Sequence, residues 1–159
     1  MTKRTVRIFD KIGALIPGYN GYAIRDEKRN DDKKLRNSIA FILEQSENEI
    51  IRYQQILVRE NEIKKCQEWD IARKSLNTIT IKIKNAVYGE TSFFNNEQIK
   101  ENELDEIYNL DLELSERVNL ISITISNEIN EILSPTLVNQ QLQEINSILN
   151  KRTNFLNKF

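Results

Sequence analysis

Glycine and proline, the residues that most often interrupt regular secondary structure, are nearly absent from this chain outside one short stretch. Three of the four glycines and one of the two prolines lie between residues 13 and 21. Neither residue type occurs from Tyr22 to Tyr88, from Glu90 to Ser134, or after Pro135. Long uninterrupted stretches rich in Glu, Lys, Leu, Ile and Gln are typical of long helices. The chain is therefore predicted to fold from a few long helices preceded by a turn-rich segment.

The ends of these stretches carry signals of helix boundaries. Gly89 is placed to end a helix in the left-handed conformation. Asn95 is placed to cap the next helix, with Gln98 in the return position of a capping box. Ser134 followed by Pro135 is a second start signal, because serine caps helix N-termini and proline is favoured at the first helical position. These signals predict helices at about 25–60, 64–88, 96–133 and 135–158.

The apolar spacing changes phase inside the longest stretch, which indicates a break in the helix. One set of residues, apolar at most positions, keeps a single heptad phase from Leu35 to Ile63. Another runs from Trp69 to Ala86 in alternating steps of three and four. An insertion of three or four residues does not reconcile the two phases. We therefore predict a turn between about Glu60 and Gln67, with Asn61 left-handed, that joins two antiparallel helices. The alternative is one continuous helix through this region.

Each predicted helix has one apolar and one polar face, as helices in a bundle require. The predicted fold class is all-α, an up-down antiparallel four-helix bundle of long helices. Residues 1–24 are expected to form a turn-rich, amphipathic N-terminal arm, and residues 25–159 the bundle. Two β-branched runs, 78–83 and 120–125, alternate with period two and in isolation indicate strands. Because they lie inside longer helical periods without a turn signal, we predict helix and keep strands as the alternative.

The composition excludes several kinds of site. The chain has no histidine and a single cysteine, Cys66, which rules out imidazole chemistry, intrachain disulfides and cysteine-rich zinc sites. Its 23 Lys and Arg residues nearly balance its 24 Asp and Glu residues, which argues against generic binding to nucleic acid. No segment has the uninterrupted apolar run of a secretory signal or of a membrane span. We expect a cytoplasmic protein.

The remaining candidates for chemistry are carboxylate pairs and the cysteine. Glutamates with i,i+3 spacing could hold a divalent cation through oxygen ligands. Such pairs are Glu44/Glu47, Glu103/Glu106, Glu113/Glu116 and Glu128/Glu131. All-helical nucleotide pyrophosphatases add a later Glu-x-x-Asp, which this sequence lacks, and Cys66 has no histidine to activate it. We predict no catalytic, cofactor-binding or metal-binding residue and expect no enzyme, with a divalent-metal-dependent enzyme as an alternative.

Charge is unevenly distributed along the chain. Residues 1–36 carry ten Lys and Arg against five Asp and Glu, whereas residues 90–133 carry two against eleven. If residues 5–16 are helical, apolar side chains share one face and basic side chains the other, as in a short interfacial amphipathic helix. Binding of anionic lipid through this arm is the alternative hypothesis for function. Packing of the arm against one end of the bundle is the simpler interpretation.

The turn-rich segment has the most distinctive local pattern. Pro17-Gly18 suits the central positions of a type II turn, because proline fixes φ and glycine accepts a positive φ. A group of uncharacterised bacterial helical proteins opens with a Leu/Ile-Pro-Gly-Tyr-x-Gly-Tyr turn before a helix rich in Arg, Asp and Glu. This chain resembles that opening over about twenty residues, in Ile16-Pro17-Gly18-Tyr19-Asn20-Gly21-Tyr22 followed by Arg25, Arg29, Asp32 and Leu35-Arg36. The resemblance implies no activity. The candidate interaction surface consists of Pro17, Gly18, Tyr19, Gly21, Tyr22, Arg25 and Arg29.

These observations favour a non-catalytic function. We expect an interaction or scaffold module that binds an unidentified protein partner or a second copy of itself, without cofactor or nucleic acid. Apolar stripes left over from packing of the bundle would supply the binding surface. Tyr19 and Tyr22 would pack on the end of the bundle with their hydroxyls in water.

Overall fold

The computed structural model describes residues 3–22, 28–86, 92–94, 99–129 and 133–159. These ranges contain five α-helices and one short 3₁₀ helix and no strand, so the predicted all-α fold class is confirmed. The elements are α1 (Lys3–Leu15), α2 (Lys28–Arg59), α3 (Ile63–Lys84), a 3₁₀ helix (Ser92–Phe94), α4 (Glu101–Glu128) and α5 (Pro135–Leu156). None of these helices, over the ranges given, has both the length and the apolar character that a bilayer span requires.

The two β-branched runs, 78–83 and 120–125, are helical as predicted. The Thr80 hydroxyl donates to the carbonyl oxygen of Leu76 at 3.0 Å, which satisfies the hydroxyl within the helix. The local alternation with period two is overridden by the longer helical period, which buries one mainly apolar stripe in each of the two helices.

α2 and α3 are separate helices joined by a tight turn, as predicted. α2 ends at Arg59, α3 begins at Ile63, and Asn61 between them has a φ of 60°. Asparagine accepts this left-handed conformation more readily than most residues. The two helices run antiparallel, because late residues of α2 contact early residues of α3. The contacts are Gln54 with Cys66, Glu47 with Arg73, and Arg36 with Lys84.

The start of α5 follows the predicted signal. Pro135 is the first helical residue, and the Ser134 hydroxyl accepts a hydrogen bond from the backbone amide of Thr136 at 3.2 Å. α4 instead begins later than the predicted residue 96. Lys100 has extended backbone, and its amide donates to the Glu103 carboxylate at 2.8 Å, which caps the helix.

The other predicted ends differ by a few residues. α3 ends at Lys84 rather than at 88, and α4 ends at Glu128 rather than at 133. The proposed cap residues Gly89, Asn95 and Gln98 lie outside the described residues.

The most extensive contacts between helices form the following pairs. α2 contacts α3 and α4, α5 contacts α3 and α4, and α1 packs on α4. α1 buries Ile8, Ile12 and the adjoining Ile16, and the Thr5 hydroxyl donates to Asp105 of α4. The apolar face considered for a membrane interface is therefore covered by protein.

Candidate functional site

Four polar side chains from four parts of the chain meet inside the protein and form a buried ion cluster. They are Tyr22 from the segment after α1, Asp32 of α2, Asp111 of α4 and Arg152 of α5. None of the four exposes more than 2% of its surface. A buried charge costs free energy unless it is paired and hydrogen-bonded, so the partners of each group decide what the cluster can do.

Arg152 is the centre of the buried ion cluster. Its Nε donates to Oδ1 of Asp111 at 2.6 Å, and its Nη2 donates to Oδ1 of Asp32 at 2.7 Å. Nη2 also donates to the Tyr22 hydroxyl oxygen at 3.0 Å, and that hydroxyl donates to Oδ2 of Asp111 at 2.6 Å. One guanidinium therefore holds together two carboxylates that would otherwise repel each other.

Arg36 extends the cluster to α3. Its Nε donates to Oδ2 of Asp32 at 2.8 Å, and its Nη1 donates to the backbone carbonyl oxygens of Ile83 and Lys84, both at 3.4 Å. A cation is favoured at these carbonyls because they end a helix. With Arg36 included, two arginines balance two aspartates.

Aromatic rings enclose the cluster on one side. The Tyr22 ring stacks on Tyr108 with centroids 5.5 Å apart and contacts the rings of Phe93 and Phe94 at 6.2 and 5.9 Å. The Tyr108 hydroxyl accepts a hydrogen bond from the backbone amide of Tyr22 at 2.6 Å. These rings exclude water, which strengthens the electrostatic interactions inside the cluster.

Burial and neighbouring charges shift several pKa values here. Burial raises the pKa of Tyr22 well above its usual value, and the Asp111 charge adds to this effect. Burial likewise raises the pKa of Tyr19, whose hydroxyl donates to Asp111 at 3.4 Å. Burial raises the pKa of Asp111, although Arg152 opposes the shift. Burial alone would lower the pKa of Arg152, but attraction to Asp111 and its neighbours raises it well above the usual value.

The raised tyrosine pKa values predict a loss of stability at alkaline pH. A tyrosine in the unfolded chain ionises at about pH 10, whereas Tyr19 and Tyr22 keep their protons to higher pH in the folded protein. The folded chain then binds more protons than the unfolded chain, so the free energy of unfolding falls as pH rises from about 10 toward the folded pKa values. Urea unfolding at a series of pH values measures this slope. Tyr22→Phe should make the slope shallower, and an unchanged slope would contradict the pKa assignment.

The predicted type II turn positions Tyr22 in the cluster. The backbone amide of Tyr19 donates to the carbonyl oxygen of Ile16 at 3.3 Å, and Gly18 has a φ of 76°, as this turn requires. Gly21 also has a positive φ, 77°. The chain thereby reverses after α1 and enters the protein beside α4.

The structure separates the members of the candidate interaction surface. The buried members are Tyr19, Gly21 and Tyr22. The exposed members are Pro17, Gly18 and Arg29, and Arg25 lies outside the described residues. The expectation that the hydroxyls of Tyr19 and Tyr22 stay in water is wrong, because both bind Asp111 inside the protein.

Sequence reasoning did not identify Asp32, Asp111 or Arg152. Each stands in phase with the apolar face of its helix. Asp111, for example, lies four residues after Ile107 and three before Leu114, both of which are buried. A charged residue at a core position of a helical repeat is a signal of buried polar interactions.

A groove of about 510 Å³ lies between α3 and α5 on the surface. Ile79 and Leu142 are buried at its floor, and Ile71 exposes 61% of its surface beside it. The other lining residues are polar, and Lys82 is the charged one: Ser75, Thr78, Lys82, Asn139, Gln143 and Asn146. The groove can therefore receive an apolar side chain at its floor and an acidic group at Lys82.

Two of the glutamates considered as metal ligands are paired with cations of α3 instead. Glu44 pairs with Lys84 and Glu47 with Arg73 across the α2–α3 interface. Within the described residues, no three Asp, Glu or Cys side chains are arranged to hold a metal ion. The side chains of Glu128 and Glu131 lie outside the described residues.

The buried ion cluster and the α3–α5 groove differ in their access to solvent. The buried ion cluster is sealed by surrounding side chains, so a substrate could reach it only if the protein opened. The α3–α5 groove is open to solvent and lies on the outside of two long helices. No family model, no curated protein and no solved structure matches the chain.

Proposed function

We propose that this is a non-catalytic, cytoplasmic helical-bundle protein that acts as an interaction or scaffold module through its α3–α5 groove. The groove itself is the observation that carries the proposal. It combines an apolar floor with polar walls and one cation, whereas the groups of the buried ion cluster bind one another. Grooves between two helices commonly receive an amphipathic helix of a partner.

The proposed architecture is a four-helix bundle in which α2 to α5 alternate in direction, with residues 1–24 as an arm on α4. Two ion pairs support an antiparallel α4 and α5, Asp111 with Arg152 and Arg117 with Glu144. The helix contacts favour the order α2, α3, α5, α4 around the bundle, which makes α3 and α4 diagonal. In this arrangement α3 lies beside α5 and forms the groove with it.

A photo-crosslinking amino acid placed at Thr78, in the groove, tests the proposed function. Gln45 on the exposed side of α2 is the matched control position. In the native cell we expect a specific protein adduct from position 78 that position 45 does not form. An adduct with any protein, including a second copy of this chain, supports the proposal. No adduct at position 78, or equal adducts at both positions, contradicts it.

The two alternative functions, lipid binding through α1 and divalent-metal-dependent catalysis, have less support. Insertion of α1 into a lipid surface would require its release from α4, because its apolar face is buried there. Co-sedimentation with anionic liposomes at low salt measures that binding directly. A divalent-metal-dependent enzyme would need acidic ligands that converge, and Glu44 and Glu47 are instead paired with cations of α3.

A further inference from the structure

We propose that the partner in the α3–α5 groove is a second copy of this chain, which inserts the exposed stripe of its α4. This inference rests on the proposed function and adds the identity of the partner and the mode of assembly. The α4 stripe consists of Glu113, Glu116, Leu120 and Ile123, whose spacing places them on one side of the helix. All four are exposed, with Leu120 at 48% and Ile123 at 49%.

Charge complementarity favours this pairing of unlike surfaces. α3 contains six Lys and Arg against two Asp and Glu, whereas α4 contains one against eight. Two copies that met through α3 and α3, or through α4 and α4, would bring like charges together. A contact between α3 of one copy and α4 of the next brings opposite charges together.

The heights of the two surfaces along the bundle also match. Two ion pairs fix the relative heights of α4 and α5, Asp111 with Arg152 and Arg117 with Glu144. Glu113 therefore lies near the height of Asn150, which binds Lys82. Leu120 lies near the height of Leu142, at the groove floor. Two copies side by side in the same orientation would thus bring Glu113 to Lys82 and Leu120 to the apolar floor.

Lys82 has a hydrogen-bond donor available for the incoming acid. Its Nζ donates to Oδ1 of Asn146 at 2.7 Å and to Oδ1 of Asn150 at 2.6 Å. An ammonium group has three N–H donors, and the third has no acceptor among the described residues. The carboxylate of Glu113 from a second copy would accept this bond and neutralise the charge of the groove.

The proposed contact is heterologous, which determines how large the assembly becomes. Each copy offers one groove and one α4 stripe, so a pair of copies still has one of each unused. Heterologous contacts therefore continue to a closed ring or an open filament rather than stop at a dimer.

Sedimentation velocity at low salt tests this assembly with two substitutions at exposed apolar positions. Ile71→Lys blocks the groove and Leu120→Lys blocks the α4 stripe, and circular dichroism checks that both variants keep the unmodified helicity. The unmodified chain should form species larger than a dimer as its concentration rises. Each variant alone should remain monomeric. An equal mixture of the two should form a heterodimer and nothing larger, because one intact groove and one intact stripe remain.

Charge reversal provides an independent test of register. Lys82→Glu and Glu113→Lys should each weaken association, on the order of a hundredfold in the dissociation constant. The two changes in one chain should restore it.

Four results would overturn the proposal: a monomeric unmodified chain at all concentrations, a blocked variant that still assembles, a mixture without heterodimer, or a double reversal without recovery. A groove adduct with a different protein, together with a monomeric chain, would overturn self-assembly and leave the proposed function in place.

Discussion

Arg152→Met is expected to lower the free energy of unfolding by about 3–5 kcal/mol. Methionine keeps an unbranched apolar stem but removes every donor that Arg152 offers to Asp111, Asp32 and Tyr22. The two carboxylates would then be buried without the cation between them. For a chain of this size the loss corresponds to a fall in Tm of roughly 6–20 °C. Urea and thermal unfolding followed by circular dichroism measure both quantities.

Arg117→Met is the matched control, because it removes another arginine–carboxylate pair between the same two helices. Arg117 lies 2.9 Å from Glu144, but the two side chains are 47% and 54% exposed. Exposed pairs contribute about 0–1 kcal/mol, so this variant should stay close to the unmodified chain. Equal losses in the two variants would show that burial does not set the strength of the Arg152 interactions.

Acid should partly rescue the Arg152→Met variant. Burial raises the pKa of Asp111 and Arg152 opposes that shift, so removal of the arginine should raise the pKa of Asp111 further. A carboxyl group with a higher pKa in the folded than in the unfolded chain stabilises the fold below that pKa, and this stability is lost as pH rises through it. The difference in the free energy of unfolding between the variant and the unmodified chain should therefore be smaller at about pH 5 than at about pH 7. A difference independent of pH would contradict the role of the Asp111 charge.

The features that depend on one or two neighbouring residues were predictable from the sequence. Asn61 marks the turn between α2 and α3, and Ser134 caps α5, because each residue type has a strong local conformational preference. The turn over Pro17-Gly18 follows from the same kind of preference. The all-α fold follows from apolar periodicity, which acts over a single helix and does not require knowledge of its neighbours.

The buried ion cluster depends on which helices meet, and periodicity does not carry that information. Tyr22 and Arg152, which bond to each other, are 130 residues apart in sequence. A charged residue in phase with an apolar face, such as Asp111, is compatible with a buried partner. A long charged side chain such as that of Arg152 could also reach solvent from such a position. The same limit applies to the α3–α5 groove, because its formation depends on α3 packing beside α5.

Gly21→Ala is expected to lower the free energy of unfolding by about 2–5 kcal/mol, from two separate costs. The backbone φ of 77° disfavours any L side chain by roughly 1–2 kcal/mol. A Cβ atom would also lie 2.6 Å from the Tyr108 hydroxyl oxygen and 2.8 Å from the Phe9 ring. The Tyr108 side chain cannot move away freely, because its hydroxyl accepts a hydrogen bond from the backbone amide of Tyr22 and its ring contacts Phe9. The added methyl group would therefore push the turn away from α4 and displace Tyr22 from the cluster, at about 1–3 kcal/mol for overpacking.

Gly18→Ala separates the two costs, because Gly18 has nearly the same backbone conformation without the crowding. Its φ is 76°, and no described atom lies within 4 Å of the position that a Cβ would occupy. The loss there should be about 1–2 kcal/mol, from backbone strain alone. Urea unfolding of both variants isolates the steric contribution at Gly21 as the difference between them. Equal losses would mean that close contact with Tyr108 and Phe9 does not require glycine at position 21, and that the turn is not held against α4 as the structure places it.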